Sequence, residues 1–162
     1  PVIALGIFVF RPTDKPVQSV TATESVKVPG VEQKEPEIKL YTPDELLAIT
    51  NQIRTENSVK PLELDVNLNK SAQMKLDEMT KDGVFEHVSA AGKNGYLYIA
   101  DTTTYCYFGS ENLQRVSPYV DAITDFSGSK AHWDAVNNSD YESVGFAMNE
   151  KYLVQHFCDK DN

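Results

Sequence analysis

The stretch "YCYFGSENL", residues 105–113, decides how the rest of this chain is read. Tyr105, Cys106, Tyr107 and Phe108 are bulky and apolar, the pattern of a strand that packs inside a sheet. Gly109 and Ser110 interrupt the run, and a carboxylate follows at Glu111. Two readings are open. In one, the strand has ended and Glu111 faces water. In the other, Glu111 is aimed into a cleft and works with residues from elsewhere in the chain. The three histidines, His87, His132 and His156, discriminate between them.

A chain of 162 residues suits one domain with a substantial core. Its net charge is −9, from 24 acidic and 15 basic residues. That balance, with no Lys/Arg cluster, excludes a nucleic-acid partner and an electrostatic hold on anionic membrane. The two cysteines, Cys106 and Cys158, make no CxxC metal pattern. They end or flank strand-like runs, so an oxidising compartment would let them pair across one sheet.

The chain opens with the apolar run "VIALGIFVF" at residues 2–10, too short to span a bilayer, which takes about 20 residues in a helix. Residues 1–10 are expected to be the remnant of a signal peptide or membrane anchor. The competing reading, a strand of the domain, lacks a hairpin partner nearby. Residues 11–40 carry Pro12, Pro16, Pro29 and Pro36 without a sustained period, and read as an extended linker. The folded domain is expected at 41–162.

That domain begins at "YTPDELLAITNQIRTEN", where Thr42, Pro43 and Glu45 form a helix-start signature and Leu46, Ile49 and Ile53 share a face. A second helix is capped by Asp65, keeps Leu68, Ala72, Leu76 and Met79 in one stripe, and stops at Gly83. Further elements are expected near Tyr96–Asp101 (helix), 105–108 (strand), from Ser117 through Phe126 (helix) and in "SKAHWDAVNN" (helix). The runs "SVGFAM" (143–148) and "KYLVQHFC" (151–158) read as a hairpin. Helices early and strands late, without βαβ alternation, predict an α+β fold with helices on a small antiparallel sheet.

Imidazoles and carboxylates at element ends can bind a divalent ion or move a proton. His87 follows the second helix, His132 lies on a short helix, and Glu142 stands at the hairpin entrance. None of these forms a local ligand pair such as HxxxH, and a histidine at a helix end is usually a hydrogen-bonded structural residue. His156 alternates with Val154 and Tyr152, opposite Gln155 and Phe157, and reads as an ordinary sheet-face histidine. No GxSxG elbow or other nucleophile is visible.

From about Thr42 to Cys158 the sequence resembles the CAP superfamily of cysteine-rich secretory, antigen 5 and pathogenesis-related proteins, in its shorter bacterial form. "LLAITNQIRTENSVKPLELDVNLNKSAQMKLDEMTKDGVFEHVS" is similar to that family's opening helix pair and first histidine. "SENL" is similar to its GEN motif, "SGSKAHWDAVNNSDYESVGFA" to the segment with its second histidine, and "YLVQHF" to its closing strand. The resemblance implies an α-β-α sandwich with a central cleft of two histidines and two acids, where some members hold zinc or another divalent ion. Carried over, the cleft residues are His87, Glu111 and His132. Aligned without a gap, the second acid falls on Ser143, so Glu142 serves only if the preceding loop is shortened or bulged. Ser110 departs from the motif glycine, Phe126 from a common tryptophan and Lys130-Ala131 from Pro-Gly, while Trp133 is expected to wall the cleft.

Two functions follow from the resemblance. The first is a secreted or cell-surface binding module for a lipid, sugar, peptide or protein, membrane-bound only through an N-terminal segment, with His87, His132 and Glu111 holding a divalent ion such as Zn²⁺ weakly. The second is a peptidase- or glycosidase-like hydrolase using the same cleft, by metal-assisted or acid/base chemistry.

Overall fold

Thr42 begins the first helix as its context predicts. In a computed structural model, which describes residues 36–160, its hydroxyl accepts from the Glu45 amide at 3.3 Å and the Glu45 carboxylate accepts from the Thr42 amide at 2.8 Å. Helix α1 (Pro43–Glu56) buries Leu46 and Ile53 and half-buries Ile49. Helix α2 (Val66–Asp82) is capped by Asp65, buries its four-residue apolar stripe and ends at Gly83. The expected anchor remnant at 1–10 and most of the linker at 11–40 lie outside the described residues. Residues 36–40 carry neither helix nor strand.

The remaining elements are β1 (Glu63–Leu64), α3 (Gly95–Ala100), β2 (Cys106–Arg115), a 3-10 turn at Thr124–Gly128, α4 (Lys130–Val136), β3 (Ser143–Met148) and β4 (Tyr152–Lys160). The strands form one sheet in the order β1-β3-β4-β2. The predicted antiparallel pairing holds for β2, β3 and β4, but β1 joins β3 in parallel, so the sheet is mixed. A two-residue strand shows no alternation, which is why the sequence pattern misses it.

Two further expectations are corrected. The strand does not stop at Phe108; it runs to Arg115, and Tyr107 and Phe108 are its exposed end, each 64% accessible. A register irregularity between Cys106 and Gly109 turns that aromatic pair outward. The helix expected from Ser117 is absent too. Turns lead to Ile123 at φ +68°, outside the helical region, and only the 3-10 turn follows.

Alternation along β3 and β4 divides the core between two faces. Val144, Phe146, Leu153 and Phe157 meet α1, α4 and Phe126 on one side. Ala147, Tyr152 and Val154, with Leu113 of β2, meet the α2 stripe on the other. Helix α2 approaches very closely: a Cβ on Gly145 would lie 2.1 Å from the Leu68 carbonyl carbon and 2.2 Å from the Asn69 nitrogen. Only glycine allows the α2 backbone to rest on β3 there. The helix-on-sheet-on-helix arrangement is the predicted sandwich.

Candidate functional site

Glu111 lies within β2, where its Cα is paired in register with His156 of β4. Directly opposed residues on antiparallel strands share a face, so the carboxylate and this imidazole must meet. Glu111 Oε2 is 3.0 Å from His156 Nε2 and Oε1 is 2.9 Å from His87 Nδ1. The Glu111 side chain is 4% exposed and that of His156 is 0%, whereas that of His87 is 56% exposed at the mouth. Glu111 therefore clamps one solvent-facing histidine to one buried histidine. Glu111 thus meets residues from elsewhere in the chain and does not face water, and it stands mid-strand and not past the strand's end.

Helix α2 completes the clamp. Ser71 Oγ is 2.7 Å from His156 Nδ1 and 2.9 Å from the Leu68 carbonyl. With Nε2–H of a neutral His156 donating to the carboxylate, Nδ1 is the acceptor, and the single Ser71 proton goes to it. Serine, histidine and carboxylate in a row have the order of a hydrolytic triad. Ser71 is fully buried in α2, however, so no substrate reaches its hydroxyl.

Protonation follows from these contacts. Burial is the strongest influence on Glu111 and acts to raise its pKa, but hydrogen bonds from His156 and His87, with nearby positive charge, outweigh it and hold the carboxyl below its ordinary value. Burial pushes His156 down against the opposing pull of Glu111, which keeps it neutral. The hydrogen bond to Glu111 raises His87. Burial lowers His132, and repulsion from His87 adds to it.

His132 reaches the cleft from the other face of the sheet. Asn112, pointing away from Glu111, donates through Nδ2 to the His132 carbonyl and to Gln155 Oε1, each at 3.1 Å. The site thus straddles the free edge of the sheet at β2, with the His87 and His132 rings 6.3 Å apart and His132 edge-on to Phe126 at 5.3 Å. Arg54, fully buried on α1, donates to the carbonyls of Val136, Asn138 and Lys60 at 2.8–2.9 Å and so fixes the end of α4. A groove of about 550 Å³ opens beside His132, walled by Phe85, Phe126 and Leu113 and carrying Arg115 and Asp125.

Residues 47–157 match the CAP family, described as the cysteine-rich secretory protein family. The chain belongs to it. It is 28% identical over 147 residues to the membrane protein YlbC of Bacillus subtilis, covering 88% of this chain and 42% of that relative. The chain therefore spans less than half the length of that protein. Among solved structures it resembles an extracellular SCP-domain protein of Bacillus anthracis (TM-score 0.68, 18% identity, 73% of this chain and 40% of that one). It also resembles an outer surface protein of Borrelia burgdorferi (TM-score 0.65, 17% identity, 72% and 90%). A third likeness is to a cysteine-rich secretory protein of Staphylococcus aureus (TM-score 0.58, 22% identity, 71% and 37%). At these identities the structural likeness is one of fold.

Within this CAP domain the predicted residues separate clearly. His87, Glu111 and His132 come together. Glu142 does not: it sits at the start of β3, two strands from β2, with its carboxylate 3.9 Å from Lys60. Neighbouring Ser143 is buried with Oγ 3.5 Å from the Cys158 carbonyl. Trp133 packs against the α1 side of the core. Cys106 and Cys158 are joined as a disulfide, with Cα atoms 5.4 Å apart. His156, read as an ordinary sheet-face residue, is the buried half of the clamp. Its facing direction was legible from alternation; its partner was not. Ser71 and Lys75 were also missed, although both interrupt an otherwise apolar helix face at helical spacing from Leu68.

The donor set bears on the metal that the CAP family implies. With Nδ1 donating to Glu111, His87 keeps its Nε2 lone pair, and a carboxylate behind a ligand histidine is the usual supporting arrangement. Ring centroids 6.3 Å apart are wider than a tetrahedral ion at Zn–N distances of about 2.0–2.1 Å would span, so the rings must swing together to share one. Both Glu111 oxygens are already engaged by histidines. Among the described residues, three possible ligand atoms gather within 4.8 Å at Cys106, Cys158 and Asp159 alone, where the sulfurs are bonded to each other. The donor set thus offers an ion two imidazoles at most, with water or ligand to complete the shell.

Proposed function

We propose that this CAP domain is an extracytoplasmic binding module whose cleft takes a ligand along the groove beside His132 and holds a divalent ion weakly between His87 and His132. The clamp of Glu111 between His87 and buried His156 carries the reading. It commits both carboxylate oxygens to orienting histidines, leaving neither a free general base nor a third strong ligand. A closed structural zinc site has four protein ligands, so the ion is exchangeable. The groove is open, and its aromatic walls and charges of both signs suit a peptide or sugar better than an acyl chain.

The disulfide supports an oxidising location, as do the descriptions of the relatives as extracellular, outer-surface and membrane proteins. Titration calorimetry with Zn²⁺ on wild type, His87→Ala and His132→Ala tests the cleft. Weak binding lost in both variants is expected; binding unchanged in both sinks the shared site. Ligand imidazoles must be unprotonated and His87 titrates above the ordinary histidine value of 6.5, so affinity should already be declining as pH falls toward 6.5. Hydrolysis of a peptide or glycoside that Glu111→Gln abolishes while binding survives would establish the hydrolase instead.

A further inference from the structure

Lys75 lies on α2 one turn beyond Ser71 and is 1% exposed. Among the described residues its ammonium makes no ion pair within 4.0 Å. Instead Nζ donates to the Glu86 carbonyl at 2.7 Å and the His87 carbonyl at 3.2 Å, with the Tyr98 ring centroid 5.4 Å away. Burying an ammonium is among the least favourable choices a sequence makes unless its donors are satisfied. Here they are spent on the backbone that carries His87. Residues four apart on a helix face the same way, so Ser71 and Lys75 form one row on α2 beneath the site.

We propose that Lys75 is a positioning residue, which with Ser71 forms a bracket on α2 that aims both histidines at Glu111. Ser71 sets the His156 ring through Nδ1, and Lys75 sets the His87 backbone, so that the His87 ring presents Nδ1 to the carboxylate and keeps Nε2 free. Its functional consequence rests on the reading of His87 as a metal-binding residue; its geometric claim does not.

Imidazole nitrogen NMR on wild type, Lys75→Met and Lys75→Arg, above the pH at which His87 titrates, tests the geometry without metal. Wild type is expected to show His87 in the Nδ1–H form and His156 in the Nε2–H form. Lys75→Met should average the two His87 tautomers and leave His156 unchanged, and Lys75→Arg, which keeps cationic donors, should restore His87. An unchanged His87 signature in folded Lys75→Met overturns the proposal. Should that variant not fold, wild type still decides: the Lys75 ammonium protons must be slow to exchange and close to the Glu86 and His87 backbone, and a freely exchanging ammonium overturns it.

The consequence is read with Zn²⁺. Lys75→Met should weaken binding about 10–100-fold, as loss of an outer-sphere support does, and should have no further effect in His87→Ala. If His87→Ala and His132→Ala bind Zn²⁺ as wild type does, the metal reading fails while the NMR result still stands for Lys75.

Discussion

Glu111 and His156 are register partners on β2 and β4, and their side chains meet at 3.0 Å beneath α2. The pairing puts a charged group and a neutral imidazole in the interior, so stability must depend on pH.

Both groups titrate below their ordinary values in the fold. Between the ordinary histidine value of 6.5 and the depressed value of His156, the unfolded chain binds the extra proton and the fold does not. Stability therefore falls as pH drops through that window. Glu111 adds a loss of the same sign below its ordinary value of 4.5. His87 has the opposite sign: its raised pKa contributes stability below 6.5 that is lost as pH rises through the folded value. Its ring is more than half exposed, so that effect is small. Thermal melts from pH 7 to pH 4 should show a falling Tm, with a shallower fall in His156→Asn. Parallel curves would contradict the buried clamp.

Gly145→Ala and Gly95→Ala should both destabilise the fold, each against a different neighbour. At Gly145 the new methyl meets α2 backbone at 2.1 Å, and overpacking of this sort costs about 1–3 kcal/mol or more. At Gly95 it meets Glu111 Cβ at 2.6 Å and Cδ at 2.9 Å, and a Cβ fixed to β2, on a side chain held by two histidines, cannot swing aside. Alanine also favours the helix by up to about 1 kcal/mol. We still expect a clear loss in urea unfolding for both, with His87 released from Glu111 by NMR in Gly95→Ala alone.

The disulfide closes 52 residues between the start of β2 and the end of β4, and such a bridge contributes about 2–4 kcal/mol. Non-reducing mass spectrometry should find no free thiol, and reductant should lower the Tm. Two free thiols in exported protein would rule the bridge out.

Arg54→Met should leave the carbonyls of Lys60, Val136 and Asn138 without their donor. Hydrogen bonds to a charged group are worth about 1.5–3 kcal/mol each before relaxation, so a loss of about 3 kcal/mol or more is expected. Trp133, the single tryptophan, sits on α4. Its fluorescence should report α4 loosening before global unfolding; a single coincident transition would show the helix to be held by its apolar contacts alone.

Much of this domain was determined locally. Thr42-Pro43-Glu45 can be read as a helix start because capping involves residues three apart. The α2 stripe and the β3–β4 hairpin follow from periods of 3.6 and 2, and even the face on which His156 lies follows from alternation. Other features needed the folded chain. Glu111 stands mid-strand because β2 pairs with β4 in one register, and register depends on both strands together. Tyr107 and Phe108 look like core residues by composition and are exposed because a local irregularity turns them outward. Ser71, Lys75 and Arg54 are polar residues whose partners His156, Glu86 and Val136 lie 85, 11 and 82 positions away, beyond any local pattern. What the sequence alone determined were most of the elements, while its resemblance to the CAP family pointed to three cleft residues. The tertiary structure decided which histidine shares Glu111, that Glu142 stands apart, and which buried polar residues hold the site, because hydrogen bonds between distant segments exist only once the sheet and α2 are packed.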